Sequence, residues 1–178
     1  MTEAELIARS LVTDDRAAFG LLVQRHQSAV RHFLRHLTRG DTALADDLAQ
    51  ETFVQAWRSL ARFQGGSTFT TWLLGIAHNH WRNARRRQRD HTPLDVATGE
   101  NLTVAATTDT SDLQHDLATA LRELSADEQL VLHLGFHQGL SHGEIAALLD
   151  WPLGTVKTHL ARSKEKLRHL LAAWNPQT

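Results

Sequence analysis

The chain of 178 residues has no cysteine, which excludes disulfide cross-links, thiolate metal sites and cysteine nucleophiles together and fits a reducing cytoplasm. It has no tyrosine either, and valine and isoleucine are sparse beside alanine and leucine. No stretch alternates apolar and polar residues long enough to make a strand, so an all-α fold is expected. Long apolar runs are also missing. Nowhere do about 18 apolar residues follow one another, and the opening segment MTEAELIARSLVTDD is acidic and broken by charges. Neither a signal peptide nor a membrane-inserted segment is therefore expected, and the protein is read as cytoplasmic. The chain lacks an HExxH helix, a phosphate loop and a nucleophile elbow, so no catalytic residue, metal or cofactor is assigned.

What is present is charge, and it is segregated. The formal net charge is only -1, yet residues 1–90 hold thirteen arginines against nine acids, while residues 91–128 hold one arginine against eight acids. From residue 129 onward there are five cations against three acids. Two basic surfaces separated by an acidic connection can meet phosphate even in a nearly neutral chain, because contact is decided by local potential.

The segment Ser141 to Leu167, SHGEIAALLDWPLGTVKTHLARSKEKL, is the most informative. Ser141 with Glu144 three residues on forms a capping box that fixes the start of a helix. Ile145, Leu148 and Leu149 share its apolar face, and Asp150-Trp151-Pro152 ends it, since proline disfavours αR in the residue before it. Pro152 suits the first turn of a second helix, in which Val156, Leu160 and Leu167 form a buried stripe. Lys157, Thr158, His159, Arg162 and Lys166 are left outward. The pattern is a helix-turn-helix whose second helix carries the cations and hydrogen-bonding groups that a major groove accepts.

Upstream, Phe19, Leu22, Val23, Val30, Phe33, Leu34 and Leu37 mark a long helix ending near Gly40, with a shorter one before it. Leu44, Leu48, Phe53, Ala56, Trp57 and Leu60 mark the next. Gln64-Gly65-Gly66-Ser67 breaks the pattern, and Phe69, Trp72, Leu73, Ile76, Ala77 and Trp81 start a helix that runs into Arg82, Arg85, Arg86, Arg87 and Arg89. Trp72 and Ile76, four apart, are expected in the core. Residues 91–111 lose periodicity and gain Thr, Asp, Gly and Pro; a structureless stretch of about twenty residues is long for a loop inside one domain. The expected organisation is therefore two small helical domains, 1–90 and 112–178, joined by a flexible linker over 91–111. In the second, Leu113, Leu117, Leu121 and Leu124 form one helix, Ser125 caps another that continues to Gly139, and the helix-turn-helix follows.

Two blocks of this sequence resemble a known family. Asp46-Asp47-Leu48-Ala49-Gln50-Glu51-Thr52-Phe53-Val54-Gln55-Ala56-Trp57, a glycine loop and Phe69-Thr70-Thr71-Trp72-Leu73-Leu74-Gly75-Ile76-Ala77-His78-Asn79 resemble region two of bacterial sigma-70-type factors. Gly139-Leu140-Ser141, Glu144-Ile145-Ala146 and Gly154-Thr155-Val156-Lys157-Thr158 resemble their region four. With nothing resembling regions one or three, the layout is similar to that of the extracytoplasmic-function group.

The resemblance implies a subunit that joins core RNA polymerase, at its clamp and its flap, and directs promoter-specific initiation, with promoter DNA and an anti-sigma factor as further partners. It implies that Asp46, Asp47, Gln50, Glu51 and Arg58 face the polymerase; the plain alternative is that the acids merely favour a helix N-terminus. It implies that Gln64, Gly65, Gly66, Ser67, Thr68 and Phe69 form a loop for an extruded base, and that His78, Asn79, Arg82, Arg85 and Arg86 meet the minus-ten element. Stacking surfaces and cations are the chemistry that a displaced strand needs. Thr155, Lys157, Thr158, His159 and Arg162 would read the minus-thirty-five element, with Lys164 and Lys166 on phosphate. Departures from the family pattern are His159 and Arg82, which replace a usual Arg and a frequent Asp, Gln64 and Gly66 in the loop, and Gly143 inside a helix. They bear on which promoter is recognised. A helix-turn-helix regulator acting without polymerase is the rival reading. The pairs His32/His36 and His133/His137, spaced i, i+4, could chelate zinc or nickel but have no third ligand at fixed spacing.

Overall fold

The structure, a computed structural model, describes residues 1–91 and 119–170, with side chains to residue 88 in the first span. All regular structure among the described residues is helical, as expected. The chain divides into two compact units, Met1–Ala97 and Thr98–Thr178. The connection assigned to 91–111 lies almost wholly outside the described residues.

The N-terminal unit contains α1 (Glu3–Val12), α2 (Arg16–Leu37), α3 (Thr42–Ser59) and α4 (Phe69–His91). Each of the first three starts at a side-chain cap. Thr2 and Glu5 form a capping box on α1, Asp15 accepts from the Ala18 amide on α2, and Asp41 accepts from the Leu44 amide on α3. Tight reversals separate them: Asp14, Arg39 and Gly40 take left-handed φ values of 50°, 54° and 87°. Leu6, Leu22, Val30, Phe33, Leu34, Leu48, Leu73 and Leu74 are buried and bring all four helices onto one core. Alanines 45, 49, 56 and 77 are buried with them. Small side chains on α3 and α4 let these helices approach each other and α2 closely.

The C-terminal unit, where described, begins in helical residues 119–122 and continues with α5 (Ala126–Leu132), α6 (His142–Leu149) and α7 (Leu153–Leu170). The helix expected to run to Gly139 changes character on the way. His133–His137 widen into a π turn, with the Gln138 amide donating to His133 O and the Leu140 amide to Leu134 O. Gly139 closes it at φ 70°, and buried Leu140 supplies the apolar contact that accompanies such a stop. Leu124, Leu130, Val131, Leu134, Ile145, Leu149, Val156 and Leu160 form the core.

Candidate nucleic-acid interface

In the helix-turn-helix the local signals act as read. Ser141 and Glu144 exchange hydrogen bonds, Ser141 N–H to Glu144 Oε2 at 2.8 Å and Glu144 N–H to Ser141 Oγ at 3.3 Å. The backbone N–H and hydroxyl of Ser141 hold the Glu144 carboxyl below its ordinary pKa. Asp150 leaves α6 in the left-handed region, φ 56° and ψ 41°, and the Trp151 amide donates back to Ala146 O. Pro152 stands one place earlier than expected. It precedes α7, and its carbonyl accepts the first amides of that helix, from Thr155 at 2.9 Å and Val156 at 3.3 Å.

Val156, Leu160 and Ser163 are buried along α7, with Leu167 half-buried below them. Spacings of three and four then set Thr155, His159, Arg162 and Lys166 on one flank of that stripe and Lys157 and Lys164 on the other. Thr158 points outward between the flanks, its hydroxyl donating to Gly154 O at 2.8 Å. Lys157, Thr158, Arg162, Lys164 and Lys166 are exposed, while Thr155 and His159 are half-buried. Lys164 lies over the ring of Phe136, 5.3 Å from its centroid, and that phenyl is 64% exposed. Lys166 has a second engagement that local spacing gives no sign of: Nζ lies 2.8 Å from Oε2 of Glu128, a carboxylate 4% exposed. Burial pushes the Glu128 carboxyl up, but the Lys166 ammonium and the Ser125 cap outweigh it and hold the pKa below the usual range.

The loop of the N-terminal unit is built around aromatic rings. Phe63, Phe69 and Trp72 pack with centroids 5.3 to 5.5 Å apart. Gly65 takes φ 73°, which an L side chain would strain, and Thr68 ends the loop by capping α4, its Oγ1 accepting from the Thr71 amide at 3.1 Å. Gln64, Gly65, Gly66 and Thr68 are exposed and Ser67 half-buried, whereas Phe69 is 1% exposed and faces inward. Phe69 is thus part of the wall behind the loop. Trp72 and Ile76, expected in the core, are each half-buried at its edge.

Beyond the loop, α4 carries two stripes. Trp72, Gly75, Asn79, Arg82 and Arg86 follow one line at spacings of three and four, the last three exposed. On the adjoining line His78, 5% exposed, stacks on Trp81 at 5.5 Å, and Arg85 lies 5.4 Å above the same indole. Phe63 carries no signal in the sequence, whereas the i, i+4 spacing of Trp81 and Arg85 marks their pair. His26 ties the start of α4 to α1. Its Nδ1 lies 3.0 Å from Thr70 Oγ1 and its Nε2 2.8 Å from Glu3 Oε2.

On α3, the residues expected to face a protein partner divide. Asp46 lies 3.3 Å from Arg31 Nε and Glu51 lies 3.1 Å from His80 Nδ1, so each is engaged within the unit. Asp47, Gln50 and Arg58 are exposed on one line with Val54, which is also exposed. Asp41, not Asp46 or Asp47, is the residue that caps this helix. Of the histidine pairs, His32 and His36 bring their Nε2 atoms to 3.1 Å, and His133 and His137 stack at 4.9 Å. Among the described residues no three His, Asp or Glu side chains gather as a metal site, and no helix is long and apolar enough to cross a membrane.

Comparison with known proteins gives one family match in each unit. Residues 22–91 match the model of Sigma-70 region 2, and residues 114–167 match that of Sigma-70, region 4. The chain is similar to the ECF RNA polymerase sigma-E factor of Haemophilus influenzae, with 32% identity covering 95% of each chain. It is 31% identical to that of Escherichia coli K12, covering 94% of this chain and 93% of the relative. Among solved structures it is similar to the sigma factor RpoE in complex with the anti-sigma factor NepR from Bartonella quintana, with TM-score 0.62, 28% identity, and coverage of 86% and 96%. It is also similar to CnrH in complex with the cytosolic domain of CnrY, with TM-score 0.55, 29% identity, and coverage of 94% and 96%. Two region models matched in order, and relatives about one-third identical along nearly the whole length, make this chain a member of the sigma-70 family of the extracytoplasmic-function type.

Proposed function

We propose that this protein acts as the promoter-reading subunit of a bacterial RNA polymerase, binding the core enzyme and directing initiation at promoters that it selects. The observation that carries this is the presence in one chain of both surfaces: an aromatic-walled loop continued by an arginine stripe, and a capped helix-turn-helix. A duplex-binding regulator needs only the second. Residues 1–90 serve as the clamp-binding and minus-ten unit and 112–178 as the minus-thirty-five unit, which also docks on the flap. Residues 91–111 link them, so that each weak contact raises the effective concentration of the other.

Asp47, Gln50 and Arg58 contact the polymerase directly, while Asp46 and Glu51 shape that face through Arg31 and His80. Gln64, Gly65, Gly66, Ser67 and Thr68 receive the extruded base against the wall that Phe69 supports. Asn79, Arg82, Arg85 and Arg86 hold the opened strand, and His78 acts from inside by stacking on Trp81. On α7, Thr155, Lys157, Thr158, His159 and Arg162 face base edges, with Lys164 and Lys166 on phosphate. The chain makes and breaks no bond, works in the cytoplasm, and is held in check by an anti-sigma factor. Run-off transcription tests this: core polymerase should yield promoter-specific transcripts only when the protein is added. Tight operator binding by the free protein, with no stimulation of core, would establish the regulator reading instead.

A further inference from the structure

Trp151, between left-handed Asp150 and Pro152, lays its indole against the imidazole of His159, with centroids 5.5 Å apart and planes tilted by 41°. Both side chains are half-buried. The two imidazole nitrogens are unequal, for Nδ1 alone of the two is closed off from solvent without a hydrogen-bond partner. A buried N–H left without a partner is rarer than a buried bare acceptor, which favours the tautomer with its proton on Nε2. His159 shares its flank of α7 with Thr155 and Arg162, the side assigned above to base edges.

We infer that Trp151 is a positioning residue for promoter recognition, holding His159 as a single fixed donor whose Nε2–H meets the N7/O6 edge of one guanine in the minus-thirty-five duplex. Guanine presents two adjacent acceptors there, whereas adenine sets a donor beside its N7. An arginine at this position would bring five donors in a fork and a bidentate geometry. Exchange for one clamped donor therefore alters which base is preferred, not only how tightly DNA is held. This rests on the reading of α7 as the minus-thirty-five helix.

The test uses the full chain with core polymerase on promoters randomised over the minus-thirty-five element, followed by 7-deazaguanine at the preferred guanine. His159→Ala should flatten preference at one base pair by about fivefold and spare the others. Removal of N7 should reproduce that loss on the wild type and add nothing to His159→Ala. Trp151→Leu should weaken the same preference at least about twofold, with Trp151→Phe restoring it, since a second ring can still shield Nδ1. Nitrogen-15 spectra of the histidine rings should show the Nε2–H form in the wild type and in Trp151→Phe, and a tautomer mixture in Trp151→Leu. Equal loss on all sequences from His159→Ala, or an unchanged tautomer and preference in Trp151→Leu, would overturn the inference. Absence of any promoter-specific transcript from the wild type would instead remove the sigma-factor reading beneath it.

Discussion

Every side chain assigned to DNA in the C-terminal unit stands on α7, whereas in the N-terminal unit the assigned residues come from a loop and the later turns of α4. The difference reaches down to what holds each surface in place. The start of α7 is set within about twenty residues, by the Ser141–Glu144 box, the left-handed Asp150 and the Pro152 carbonyl, and its later turns are tied to Glu128 through Ser163 and Lys166. The loop is placed by contacts between distant segments, with Phe63, Phe69 and Trp72 behind it and His26 bonded to Thr70 and set beside the Glu3 carboxylate. A reading surface whose start is set locally shows in neighbouring residues, whereas one assembled from tertiary contacts does not.

That contrast is broken most directly at Phe69. Phe69→Ala should cost about 3–5 kcal/mol, the usual range for emptying a buried aromatic site. Urea unfolding followed by amide exchange should show this loss in residues 1–91 and leave 119–170 unchanged. A cost below about 1 kcal/mol would mean that the ring is free to act in the loop itself.

Acid should separate the units as well, by a slightly smaller amount. Burial, aided by the neighbouring His32, lowers the pKa of His36 to about 4, and burial also lowers His26 against the pull of Glu3. A histidine whose folded pKa lies below its unfolded value binds more protons when unfolded, so stability is lost as pH falls below about 6.5 and levels off near the folded value. For His36 alone the loss approaches about 3 kcal/mol by pH 4. In the C-terminal unit the shifted groups are carboxylates, Glu128 and Glu144, whose lowered pKa values give stability that persists until pH falls below 4.5. Unit-resolved exchange between pH 7 and 4 should therefore show the N-terminal unit weakening first. Parallel weakening of both from pH 6.5 would rule out this division.

The same contrast explains how much the sequence revealed. All-helical character, the helix-turn-helix and the exposure of Lys157, Thr158, Arg162 and Lys166 followed from periodicity, a capping box and a proline, all signals contained in neighbouring residues, whereas His159, expected outward with them, is half-buried. The inward placement of Phe69 and His78 did not follow from the family resemblance, which sets both toward DNA; each packs on a ring, Phe69 on Phe63 and His78 on Trp81. The pairing of Lys166 with Glu128 gave no local sign either, since the two residues lie 38 positions apart. The π turn at His133–His137 was invisible too, for no residue in that stretch signals a change of helix type.

On α7, Arg162 offers a smaller and more selective effect. The side chain is exposed on the flank it shares with Thr155 and His159, so Arg162→Ala should leave the fold intact and weaken holoenzyme binding to a cognate promoter by about 1–3 kcal/mol. Binding to a scrambled minus-thirty-five sequence should fall much less. Equal losses on both would assign Arg162 to phosphate and shift base reading to its neighbours.

Gly143 gives the smallest effect and the cleanest control. It is exposed in the first turn of α6, and a Cβ built there meets nothing within 4 Å. The residue has no left-handed φ that would demand glycine. Gly143→Ala should therefore stabilise α6 by about 0.4–1 kcal/mol, chiefly by restricting the unfolded chain. An eight-residue helix closed by a cap at one end and a left-handed residue at the other transmits that gain to the whole C-terminal core through Ile145 and Leu149. Amide exchange should slow across 119–170 by a matching factor, with 1–91 and the promoter preference unaltered. Slowing in both units would show that they unfold as one cooperative block, and the separation of a locally set surface from a tertiary one would then hold for their geometry but not for their stability.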